Sequence, residues 1–181
     1  MRRSRLAALL ALLCSLLLVP AAPATAAAPY CGIRWGSLDE VVTGLSTAPV
    51  TGVRTGRHDC YDRLVVDVSG RVGGWTVGYV PHVVADGSGA VIPTRGGAAL
   101  QITVNDPAYT SAGTPTYMPP RPLEVTDVTG YRTFRQVVWA NSFEGYTSLG
   151  LGVRARLPFR VFALDGPGSG SRLVVDVAHL W

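Results

Sequence analysis

Residues 63–68 read Arg63-Leu64-Val65-Val66-Asp67-Val68, and residues 172–177 read Arg172-Leu173-Val174-Val175-Asp176-Val177. The two hexapeptides are identical. Successive side chains of a strand point to opposite faces, so Leu64, Val66 and Val68 share one face and Arg63, Val65 and Asp67 the other. Leu173, Val175 and Val177 match the first set. Two readings follow: unrelated half-buried core strands drawn from a Val-rich composition, or a pseudo-symmetric fold with equivalent strands near its start and end. In the second, antiparallel pairing in register sets Arg63 opposite Asp176 and Arg172 opposite Asp67. Such cross-strand pairs are worth about 0.2–1 kcal/mol each.

The same period runs through most of the chain. Residues 50–57, 75–80, 90–94 and 98–104 are short segments rich in Val, Ile, Leu, Thr and aromatics. Later segments of this kind are 123–128, 133–141, 147–156 and 159–164. Turn formers separate them, among them Ser69-Gly70, Gly73-Gly74, Asp86-Gly87-Ser88-Gly89 and the run 165–170. With the two hexapeptide strands this makes about ten short strands without helical runs between them, which predicts an all-β antiparallel sandwich or barrel.

The N-terminus predicts export. Arg2, Arg3 and Arg5 precede an apolar run over 6–19, and Ala24-Thr25-Ala26 and Ala26-Ala27-Ala28 fit small-residue cleavage sites. The run is shorter than the roughly 20 apolar residues of a spanning helix. A signal peptide over 1–28 is therefore expected, with Cys14 discarded inside it and no transmembrane segment in the remainder. Without that leader the 16 basic residues fall to thirteen against 12 acidic ones, a net charge of +1. So small a charge removes the electrostatic case for a nucleic-acid partner. Cys31 and Cys60 remain, and an even pair in an exported chain predicts one disulfide.

Residues 29–48 read as an N-terminal arm and 49–181 as the β domain. Within the arm, Ser37-Leu38-Asp39-Glu40 fits a capping box and Gly44 a stop, predicting a helix of about two turns. The stretch 106–122 carries five prolines together with Tyr109, Tyr117 and Met118, and reads as an extended surface crossover.

No catalytic constellation emerges. The chain lacks a G-x-S-x-G elbow and an H-E-x-x-H pair. His58, His82 and His179 have no metal-ligand spacing, and no cofactor is expected. The polar run Asn141-Ser142-Phe143-Glu144-Gly145 reads as a turn presenting Phe143 and Glu144 at a rim. In the competing reading Glu144 is an ion-pair partner of Arg154 or Arg156 on the neighbouring strand.

Together these pieces have a likeness. Residues 56–67, with Ser142-Phe143-Glu144-Gly145, Gly150-Leu151-Gly152, residues 158–162 and the closing strand 171–177, resemble the AMIN-like domain of exported bacterial proteins. The resemblance spans residue 50 to the C-terminus and implies a β-sandwich of two sheets. It also implies kinship with non-catalytic modules that hold cell-wall amidases and secretion channels at peptidoglycan. The chain departs from that pattern in two respects: it adds an N-terminal arm, and no amidase or channel domain follows Trp181.

The function expected is thus a secreted, non-catalytic envelope-binding domain whose partner is peptidoglycan or a linked wall glycan. Arg154 and Arg156, alternating on one strand, are candidates to meet carboxylates bidentately. Tyr117 and Phe143 are candidates to lie against a sugar ring, with Glu144 beside Phe143. Three alternatives stand beside it: an envelope protein partner captured by strand addition, a barrel that carries a small hydrophobic ligand, and a wall hydrolase.

Overall fold

The computed structural model describes residues 29–181; the signal-peptide expectation falls on residues outside these. In chain order the strands are β1 (Glu40–Val42), β2 (Val50–Arg57), β3 (Tyr61–Val68), β4 (Trp75–Val80), β5 (Val83–Val84), β6 (Val91–Ile92), β7 (Ala98–Val104), β8 (Phe134–Phe143), β9 (Tyr146–Val153), β10 (Phe159–Asp165) and β11 (Ser171–Ala178). A four-stranded sheet runs β10-β11-β3-β2, and a five-stranded sheet runs β1-β4-β7-β9-β8. The strands β5 and β6 form a separate small hairpin. All pairings are antiparallel, and the sheets face each other as a sandwich. They do not close into a barrel, which removes the enclosed ligand chamber that the carrier reading needs.

The repeated hexapeptides are the centre of the four-stranded sheet. β3 and β11 pair in the register that sets Arg63 opposite Asp176 and Asp67 opposite Arg172. Their inward set, Leu64, Val66, Leu173, Val175 and Val177, is fully buried. It meets Leu100 and Ile102 of β7 and Leu149 and Leu151 of β9 in one core. Phe134 and Phe159 fill the space between the sheets near the chain termini of β8 and β10. The alternation in sequence is therefore the alternation between core and outer face.

Three expectations are corrected. The capping-box helix does not form: residues 40–42 are strand β1, paired with β4. A helix of two turns has too few hydrogen bonds to outlast its nucleation cost, and the strand gains a neighbour. Glu40 turns its carboxylate to the Val161 N–H at 3.3 Å instead of capping. Residues 123–128 are turns rather than strand, because Pro122 cannot donate and Asp127 takes the Thr129 N–H at 2.9 Å in an Asx turn. β9 stops at Val153, so Arg154 and Arg156 lie in the connection to β10 instead of alternating on a strand.

Both open sides of the sandwich are covered in part, while the outer edge of β1 has no partner strand among the described residues. On one side the arm crosses the edge of β10, where Gly36 and Phe159 exchange two backbone hydrogen bonds of 3.0 and 2.7 Å. The disulfide between Cys31 and Cys60, with Cα atoms 6.4 Å apart, ties this arm to the start of β3. On the other side the proline-rich crossover closes the edges of β2 and β8. Val50 donates its N–H to Pro107, Val125 to Val137 and Trp139 to Pro122. The Thr116 hydroxyl donates to the Val50 carbonyl at 2.8 Å. Unpaired sheet edges invite pairing with other chains, and here irregular segments occupy parts of the β2, β8 and β10 edges.

Candidate functional site

The outer face of the five-stranded sheet is partly roofed. Gly150 and Gly152 point outward from β9, and each leaves room for a segment lying across the sheet. A Cβ on Gly152 would sit 1.8 Å from the Arg95 carbonyl oxygen, and one on Gly150 would sit 2.7 Å from Val83 Cγ2. Residues 83–95 lie in this space. Gln101 clamps them by accepting the Val84 N–H at 3.0 Å and donating to its carbonyl at 3.2 Å.

Where the roof ends, the sheet carries an open trough. One part, of about 640 Å³, is lined by Val42, Thr76, Thr103, Asn105 and Tyr146. It shares Thr103 and Tyr146 with a second part of about 340 Å³, which adds Asp86, Gly87, Phe143 and Glu144. Thr103 is placed here by the alternation of β7, between inward Ile102 and Val104. Phe143 and Tyr146 face each other across the β8–β9 turn. Glu144 at φ 49° and Gly145 at φ 89° give that turn its left-handed pair, the geometry whose twist suits a two-residue hairpin. The Gly145 N–H donates to the Tyr109 hydroxyl at 2.8 Å, which steadies the tip.

The carboxylates of the trough are positioned differently. Asp86 accepts the Ser148 hydroxyl at 2.9 Å. Its backbone is bracketed by the Asn141 side chain at 3.1 and 3.0 Å. Glu144 is exposed at the turn. Neither takes part in an ion pair among the described residues. The arrangement offers two aromatic side chains, one exposed carboxylate and one held by Ser148, and hydroxyl and amide groups on the floor. That combination suits a hydroxylated ring, whose apolar face packs on aromatics while its edge hydrogen-bonds.

Of the five residues singled out in the sequence, this site gathers Phe143 and Glu144. Phe143 is 44% exposed and its ring lies against Gly87. Tyr117 is elsewhere, packed edge-on against Trp139 with ring centres 5.5 Å apart. Burial pushes its hydroxyl above its ordinary pKa. Arg154 and Arg156 lie among the residues that hold the C-terminus. Arg154 donates to the His179 carbonyl. Arg156 stands 4.7 Å from the Tyr79 ring centre, and its carbonyl accepts the Trp181 indole N–H at 3.1 Å. Glu144 pairs with neither arginine. Thr103 escapes the sequence reading and Asp86 enters it only as part of a turn, because distant segments bring them here; Tyr146, next to the 141–145 turn, reads from sequence as a half-buried cross-strand partner rather than a sugar platform. The outward Thr within a Val/Ile strand was the one local signal.

The outer face of the four-stranded sheet is built differently. Asp176 is fully buried there beneath two arginines. Arg63 grips it bidentately at 2.6 and 2.9 Å, and Arg160 bonds at 2.9 and 2.7 Å. The bond to Asp176 pushes the Arg63 guanidinium further into its charged range. Rings enclose both cations: Arg160 lies 5.4 Å from Trp35, 5.4 Å from Tyr61 and 5.0 Å from Phe162. Such contacts over aromatic faces are individually worth about 0.5–2 kcal/mol. Asp67, facing Arg172 in the register, is instead held by Arg54 at 2.9 and 3.0 Å.

Among the described residues no helix is long and apolar enough to cross a membrane, and no group of three or more His, Cys, Asp or Glu is placed to hold a metal. Neither a curated protein nor a solved structure gives a significant match. The AMIN-like domain model does match, over residues 48–179, which takes in both sheets from just before β2 to just after β11. The chain belongs to the AMIN-like domain family.

Proposed function

We propose that the protein is a non-catalytic cell-envelope module that associates with peptidoglycan through the trough on its five-stranded sheet. Family membership supports the coarse part, an envelope-associated module without catalysis. The observation that carries the finer part is the trough itself, where Phe143, Tyr146, Asp86, Glu144 and Thr103 converge beside the roofing hairpin. Sugars of the glycan strand are the moieties this lining suits, by ring packing and by hydrogen bonds to their hydroxyls. The disulfide suits an oxidising compartment outside the cytosol.

Co-sedimentation with isolated sacculi tests the reading. The wild type is expected to pellet saturably and to keep doing so at moderate salt, releasing no soluble wall fragments. Phe143→Ala with Glu144→Gln changes only exposed side chains and is expected to weaken pelleting about tenfold, the equivalent of about 1.4 kcal/mol. Equal pelleting of a folded variant refutes the site, and release of fragments refutes the non-catalytic role.

A further inference from the structure

The four-stranded sheet carries a second set of groups that the trough does not use. Four arginines, Arg54, Arg63, Arg160 and Arg172, share its outer face with two carboxylates, Asp67 and Asp176. The register places them as two clusters. Arg63 and Arg160 flank Asp176; Arg54 holds Asp67, and Arg172 stands opposite Asp67 in the register while giving its Nη2 to the Asp165 carbonyl at 3.1 Å, so each cluster holds one positive charge in excess. Asp176 and Arg172 are four residues apart on β11, which separates the clusters by about 13 Å at a strand's rise per residue.

These cations are fixed before any ligand arrives. Asp176 orients Arg63 and Arg160 through their Nε and Nη2 groups, and Asp67 does the same for Arg54. Tyr61 and Phe162 hold Arg63 with its guanidinium carbon 5.2 and 5.6 Å from their ring centres. Among the described residues, no hydrogen bond engages Nη1 of Arg54, Arg63 or Arg160. All three arginines are in part accessible, with side chains 54%, 22% and 30% exposed. Guanidinium edges oriented in this way bind phosphate and carboxylate with little further loss of side-chain freedom.

We infer that this face is a binding site for a linear polyanion, a chain bearing phosphate or carboxylate groups that spans both clusters. A single small anion meets only one excess charge, whereas a chain meets two. The site is separate from the trough, on the opposite sheet, and its ligand chemistry is anionic rather than neutral and hydroxylated.

Titration of the purified protein with long-chain polyphosphate and with poly-L-glutamate, at low and raised ionic strength, tests the inference. Binding of either polymer at low salt that weakens as salt rises is expected, and the polymer preferred says whether phosphate or carboxylate is read. Arg54→Gln/Arg172→Gln is expected to weaken binding about tenfold. The exposed substitution Arg54→Gln alone, which leaves the Asp176 cluster intact, is expected to weaken it about threefold. Arg95→Gln, a cation outside this sheet, is expected to leave it unchanged. Failure of both polymers to bind at low salt overturns the inference. So do equal losses with Arg95→Gln, unchanged binding in folded Arg54→Gln, or competition by monomeric phosphate as effective as by the polymer.

Discussion

Asp67 and Asp176 occupy the same place in two identical hexapeptides, yet their removal is expected to have unequal cost. Asp176 is fully buried and accepts hydrogen bonds from two arginines. Truncating it to Ala strands two cations, and breaking a buried pair from one side costs about 3–5 kcal/mol. Arg63 and Arg160 keep 22% and 30% side-chain exposure, so water compensates part of that loss. A cost of about 3 kcal/mol is the working value, at the low end of the buried-pair range. For a domain of this size that lowers Tm by about 6–12 °C. Asp67 faces one partner, Arg54, whose side chain is 54% exposed. Exposed pairs are worth about 0–1 kcal/mol, so Asp67→Ala is expected to move Tm by no more than about 4 °C. Thermal unfolding followed by circular dichroism reads both. A double-mutant cycle of Asp176→Ala with Arg63→Ala isolates the coupling. Equal shifts for the two aspartates refute the claim that burial, and not the shared motif, sets the energy.

Other outcomes follow from single contacts. Gly152→Ala places a methyl 1.8 Å from the Arg95 carbonyl; it is expected to destabilise by about 1–3 kcal/mol, with faster amide exchange over residues 83–95. Replacing Cys31 and Cys60 with Ser opens a link of sequence separation 29. That change is expected to cost about 3–4 kcal/mol in chemical denaturation and to expose the arm to proteolysis. Burial raises the Asp106 pKa against the opposing hydrogen bond from Gly73. The native state therefore binds this proton more readily than the unfolded chain, and stability from the group is present below the unfolded pKa and lost as pH rises through the folded one. The stability of Asp106→Asn relative to wild type is accordingly expected to fall as pH drops from 7 to 4, measured by urea midpoints. A constant difference refutes this account of Asp106.

The strands were legible because alternation is a local signal. β2, β4 and β7 coincide with the segments read from sequence, and the hexapeptide repeat carries the β3–β11 register. What escaped depends on neighbours distant in the chain. Ser37 and Glu40 do carry a capping pattern, but pairing with β4 outweighs it. Charge complementarity pointed Asp67 to Arg172, whereas Arg54 on the other neighbouring strand reaches it first. Gly150 and Gly152 were visible only as part of a family likeness, and their reason is the hairpin that lies on them. Half of the trough was within reach, since the 142–145 turn marked Phe143 and Glu144. Its other half, Asp86 and Thr103, becomes adjacent only when β7 and the β5–β6 hairpin assemble beside β9.

The central claim, that the trough takes the glycan of the wall, is tested most directly by mapping amide shifts of the labelled protein during titration with muramidase-solubilised peptidoglycan. The account expects saturable shifts concentrated at Thr76, Thr103, Phe143, Glu144 and Tyr146, with the β10 and β2 edges unmoved. Shifts confined to those edges, or no shifts at saturating fragment, contradict it.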